Sequence, residues 1–306
     1  MVKWCRTLMI GATMLATVGS VASPAAAIEA RDEARVFFFG NSLLHHLTDS
    51  NITTVPHWLA LLAKQGGKSF ASDGRWGFPR NFIEELPPIP NWSFEGVQPV
   101  ADPWVPIKPE AFDTYVFAME NYVQGRAPEL PYEGDNPKQQ SPLGATLTLL
   151  DWVEKNSNGA RFMVYEGWAD LNAMAKTFPP DAATLAKYHE QSGGAYHDWF
   201  VSFVDTLKTE RPGQDIELIP VARVMIDTLS MPALAALPPE ALYADLSPHG
   251  TATTYLLAAM ITYSALYGER PPAGFEIPDV IDPVFAKNYE AVADTVWRVL
   301  QEADAD

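Results

Sequence analysis

The chain has 306 residues, enough for one large α/β domain with its own core once a short leader is set aside. Its 38 acidic residues outnumber 21 basic ones, for a formal charge of −17, which disfavours nucleic acid and anionic lipid as partners. A single cysteine, Cys5, excludes disulfides, thiol catalysis and cysteine-bound metal from everything downstream of it.

Residues 1–27 read as a signal peptide. Lys3 and Arg6 form a basic start, Leu8 to Val21 is apolar or small, and Ala25-Ala26-Ala27 supplies a small-residue cleavage site. The stretch is short and rich in Ala, Gly and Thr, unlike a transmembrane anchor. The expected product is a periplasmic or secreted protein, with no membrane contact after cleavage and an undetermined oligomeric state. Residues 28–306 are expected to form a single domain.

Strands are predicted at 35–39, 68–72, 113–119, 160–165 and 215–220. Helical stretches at about 53–65, 143–156, 182–210 and 251–267 separate or follow them, and a last amphipathic helix spans 284–300. Such alternation predicts a parallel sheet wrapped by helices on both faces. Val36-Phe37-Phe38-Phe39 has no polar break, as expected of a strand buried on both sides. Ser141-Pro142 gives a helix its N-cap and first-turn proline. Tyr255 to Ile261 is apolar all round, which predicts a buried helix. Residues 86–109 interrupt the pattern with seven prolines, Trp92 and Trp104. Long loops of this kind inside a compact domain are usually functional or mobile. Flat aromatic faces beside polar groups suit a sugar ring.

Ser42 stands just after the first strand, in Gly40-Asn41-Ser42-Leu43, where open α/β sheets place their chemistry. A serine hydroxyl needs a base held in one tautomer, and donors for the negative oxygen that develops on the substrate. Of the six histidines, His249 has an acid nearby, in Asp245-Leu246-Ser247-Pro248-His249-Gly250, and directly precedes the buried helix. His45 and His46 lie three and four residues after Ser42, on its helical face, and are candidates for substrate contact. His57 belongs to the next helix. His189 and His197 read as surface or boundary residues of a helix. No phosphate loop, nucleotide-binding glycine loop, nucleophile elbow or zinc motif survives inspection, so neither a metal nor a cofactor is expected.

Gly40-Asn41-Ser42-Leu43, an asparagine after the central strand and the Asp245/His249 block together resemble the SGNH (GDSL-like) hydrolase superfamily. The resemblance runs in order along the chain beyond the leader. It implies an α/β/α sandwich of flavodoxin-like type and a serine esterase acting on acyl esters, often acetyl esters of carbohydrates. Carried over residue by residue, it makes Ser42 the nucleophile, His249 the base and Asp245 its partner, with a carbonyl oxygen as the alternative orienting group. The oxyanion hole would be formed by the N–H of Ser42, by Gly77 (or Gly74 in the same block) and by Asn121. Trp76, Glu166 and Trp168 are further candidates for contact with a small-molecule or glycan ester. The chain departs from the pattern at Asn41, where the family has Asp, at Ala118 and Tyr122 around the third block, and in the three residues between Asp245 and His249. An O-acyltransferase using the same residues, or a glycan-binding protein on a degenerate hydrolase fold, are the alternatives.

Overall fold

A computed structural model describes residues 30–46, 50–121, 123–247 and 249–303, together with Met1. Apart from Met1, the segment assigned to a signal peptide lies outside the described residues.

Five strands form one sheet: β1 (Glu33–Gly40), β2 (Ser69–Trp76), β3 (Thr114–Ala118), β4 (Arg161–Tyr165) and β5 (Ile216–Ile219). Their order is β2-β1-β3-β4-β5 and every pairing is parallel. The helices are α1 (Val55–Gln65), α2 (Pro79–Phe82), α3 (Pro142–Asn156), α4 (Ala182–Gln191), α5 (His197–Glu210), α6 (Val221–Leu229), α7 (Pro239–Leu242), α8 (Ala252–Tyr267), α9 (Pro283–Lys287) and α10 (Tyr289–Ala303). Crossovers between parallel strands keep one hand, so reversing the direction of strand addition moves the connecting helix to the other face. The chain therefore lays α1, with α8, α6 and α10, on one face, and α3 and α5 on the other. The result is a three-layer α/β/α sandwich.

All five predicted strands are present. β2 runs on to Trp76, four residues past its predicted end, although Ser72-Asp73-Gly74-Arg75 looks like a turn. β1 pairs with it throughout, Glu33 opposite Ser69 and Gly40 opposite Trp76. The proline-rich segment covers its outer edge: the Ser72 N–H donates to the Gln98 carbonyl at 2.9 Å, and the Asp73 carboxylate accepts from the Val100 and Ala101 N–H groups at 2.8 Å. An edge strand that would otherwise expose its polar groups is thereby closed. The predicted helix over 182–210 is broken: at Gly194 the backbone leaves helical geometry (φ −108, ψ −109), which divides α4 from α5. The predicted helix over 284–300 is likewise two pieces, α9 and α10. α6 was missed, being short and directly continuous with β5.

The sheet is buried by rings. Phe37, Phe39, Phe117 and Tyr115 pack edge-on, tilted or stacked at centroid separations of 4.9–6.3 Å, the edge-on and stacked pairs each adding roughly 0.5–1.5 kcal/mol beyond their area. All of α8 is buried, as its lack of a polar face predicts. Gly40 and Gly74 leave room for Trp92, which covers both: a Cβ at either glycine would come within 2.6 Å or less of the indole.

Candidate active site

Strand addition reverses between β1 and β3, and the crevice outside the carboxyl ends of those strands is the expected ligand position in such a sheet. Ser42 follows β1 and Asn121 follows β3, so both candidates stand at this point.

The Ser42 turn is tied down on every side. The buried Asn41 side chain accepts from the Leu43 N–H at 3.0 Å through Oδ1 and donates to the Met119 carbonyl at 2.8 Å through Nδ2. Its own carbonyl accepts from the Leu44 and His45 N–H groups. An ionised aspartate has no donor and would oppose the Met119 carbonyl, so asparagine here is what the end of β3 requires. The Tyr165 hydroxyl donates to the Leu43 carbonyl at 3.2 Å. Gly167, at φ 67, lies so close to Leu43 that a Cβ would come within 2.8 Å of its side chain. Ser42 itself is half-buried, and its carbonyl accepts from the Tyr255 hydroxyl.

Tyr255 joins the two ends of the sequence. Gly250, the residue after His249, packs against the Tyr255 ring: a Cβ there would come within 3.2 Å of it. Trp168, buried beneath, meets the Tyr255 ring edge-on at 5.9 Å. Asp245 lies in the turn before. Its Oδ1 accepts from the N–H groups of Ser247 (2.8 Å) and His249 (3.1 Å), and its Oδ2 lies 2.6 Å from His249 Nδ1. The Asp245 carboxylate thus gathers the N–H groups of Ser247 and His249 together with the imidazole, and the orienting group for His249 is Asp245. Partial burial opposes ionisation of Asp245, but the hydrogen bonds from His249 and Ser247 outweigh it and hold the carboxyl below its usual range. With Nδ1 donating to the carboxylate, Nε2 is left as an acceptor, the state a general base needs.

His46 lies flat on His249, ring centroids 3.9 Å apart and planes within 7°. Its side chain touches the base, and burial together with the neighbouring imidazole lowers its proton affinity. His45 turns the other way, edge-on to Trp92 (5.2 Å) and Phe94 (4.7 Å). Burial first and His46 second push its pKa down to about 4, so it is neutral. Ser42 Oγ forms no hydrogen bond among the described residues, with His249 or any other group. Such contacts are often long before substrate binds.

Of the expected oxyanion donors, Gly77 is corrected. Its N–H donates to the Gly40 carbonyl at 2.7 Å and is already committed. Gly74 lies within β2, beneath Trp92, and is no better placed. The Ser42 N–H and the Asn121 side chain have no partner among the described residues. Glu166 and Trp168 are also corrected as substrate contacts, each being 1% exposed. Glu166 Oε1 is 3.0 Å from His197 Nδ1 and Oε2 accepts from the Ala222 N–H at 2.9 Å, in the first turn of α6. The carboxylate therefore caps a helix, and His197, half-buried at the boundary as expected, is its partner. His189 also serves the interior, 3.3 Å from the Tyr243 hydroxyl. His57 is in α1 beside the Glu95 carbonyl. Trp76 is half-buried, and its backbone N–H donates to Asn91. Trp92 is 7% exposed and packs in the core, while Trp104 is 76% exposed.

Sequence reasoning missed Tyr255 as the link between the two loops; its position facing the histidine block was the available signal. It also missed Glu120, buried directly before Asn121, for which the sequence gives none. Among the described residues no group of three or more His, Cys, Asp and Glu is arranged to hold a metal ion, and no helix is long and apolar enough to cross a membrane.

One solved structure similar to this chain is that of a DUF4886 family protein from Bacteroides uniformis. The alignment covers 89% of this chain and 96% of that one, with a TM-score of 0.57 and 12% identity. The shared property is the fold. A second solved structure aligns over 78% of this chain and 98% of its own length at a TM-score of 0.44 and 15% identity, too distant to carry an argument. No protein-family model matches the chain, and the search of curated proteins finds no match.

Proposed function

We propose that the protein is an exported serine esterase of the SGNH hydrolase type, removing acyl groups, acetyl above all, from a carbohydrate. Ser42 Oγ attacks the ester carbonyl while His249 Nε2 takes its proton. Asp245 holds the imidazole in the required tautomer and stabilises the imidazolium that forms. The Ser42 N–H and Asn121 receive the negative oxygen, with Gly77 excluded from that role. Proton return from His249 to the departing alcohol leaves an acyl-serine, which water cleaves by the same steps in reverse.

The observation that carries this reading is the Asp245–His249 contact of 2.6 Å directly ahead of α8, the helix whose Tyr255 hydroxyl binds the Ser42 carbonyl. A structural role for the aspartate and histidine alone gives no reason for the helix that follows them to be fastened to a serine turn more than 200 residues away. Ser42→Ala tests the proposal: turnover of an aryl acetate should fall by about 10³-fold or more, with the melting temperature unchanged. Undiminished turnover in that variant contradicts it.

A further inference from the structure

We propose that the cavity beside β2 is a subsite for an uncharged sugar ring, with the Trp104 indole as its stacking platform. The inference rests on the esterase reading only for the bond that is cut; the binding itself is independent of it. The cavity holds about 310 Å³, at the small end of ligand sites, which run from roughly 300 to 1,000 Å³.

Its walls are of two kinds. Trp104 and Phe94 supply aromatic surface. Trp104 is 76% exposed and holds φ 65, a left-handed conformation that is costly for a bulky residue. Burial of its own ring within the chain does not offset that cost. The other wall is polar, and its groups have hydrogen-bonding capacity left over. Asp73 is 5% exposed and lines the cavity; Oδ2 accepts from Val100 and Ala101, while Oδ1 has no partner among the described residues. Asn91 Oδ1 accepts from the Trp76 N–H, and its Nδ2 has no partner among the described residues. The Ser72 and Ser93 hydroxyls, also in the lining, are in the same position.

A sugar ring answers both walls. Its C–H face lies on an indole, and its hydroxyls donate to Asp73 and accept from Asn91. An alkyl chain would leave those polar groups unsatisfied. A phosphorylated or carboxylated ligand would face Asp73 in a chain of charge −17. Trp92 separates the cavity from the Ser42 turn: it lines the one and meets His45 edge-on in the other. A glycan with one ring in the cavity is therefore held beside the turn that carries the nucleophile.

The test is calorimetric titration of the Ser42→Ala protein with xylotetraose, cellotetraose and chitotetraose, repeated with Trp104→Ala and Trp104→Phe added. At least one oligosaccharide should bind, about tenfold more weakly with Trp104→Ala and within a few-fold of the parent with Trp104→Phe. Binding by none of the three, or equal binding after Trp104→Ala, overturns the subsite. Tryptophan-dependent binding in a Ser42→Ala protein that still hydrolyses aryl acetate would uphold the subsite and remove the esterase reading.

Discussion

Glu120 directly precedes the oxyanion candidate Asn121 and is fully buried. Its Oε2 accepts from the Tyr132 hydroxyl at 3.2 Å, and Oε1 has no partner among the described residues. Burial raises its pKa to about 7, with Tyr132 and Arg80 only partly opposing the shift. The folded protein therefore keeps a proton that the unfolded chain releases near the ordinary glutamate value. Stability must fall as pH rises through the window between that value and 7, by up to about 3 kcal/mol, and level off above it. Glu120→Gln keeps an acceptor for Tyr132 and removes the titration. Its urea midpoint should match the parent at pH 5 and exceed it at pH 8; a constant difference at both values contradicts the assignment.

At the scale of elements, the site depends on α8 presenting Tyr255 between two loops. Tyr255→Phe leaves the Ser42 carbonyl without its hydroxyl partner, which should cost about 1–3 kcal/mol. Because the loss also loosens the Ser42 turn against α8, the proposed turnover should drop by about tenfold or more, with KM little changed. Stability and turnover both equal to the parent would show that the bridge does not hold the site. The elements were legible where one physical rule decides them. Val36 to Phe39 could only be a buried strand, and the helix over 252–267, lacking a polar face, could only be interior. The extension of β2 to Trp76 was hidden because Asp73 is satisfied by Val100 and Ala101, far along a loop. The break at Gly194 was hidden because hydrophobic spacing continued across it.

Across the whole molecule, the parallel sheet and its layers follow from alternating patterns along the chain, and the Asp245–His249 contact from nearness in sequence. Gly77, Glu166 and Trp168 were misread for a common reason. Each stands at the correct end of a strand, but what its polar or aromatic group faces is set by tertiary neighbours: Gly40 for the first, His197 and α6 for the second, Tyr255 for the third. The proposed chemistry requires that Ser42, near the start of the fold, be activated by His249, near its end. The most direct measurement is peptide mapping after exposure to a fluorophosphonate probe. One adduct is expected, on Ser42, forming at least about a hundredfold more slowly in a His249→Ala variant. An unlabelled Ser42 in the parent protein, or an adduct whose rate ignores His249, would contradict it.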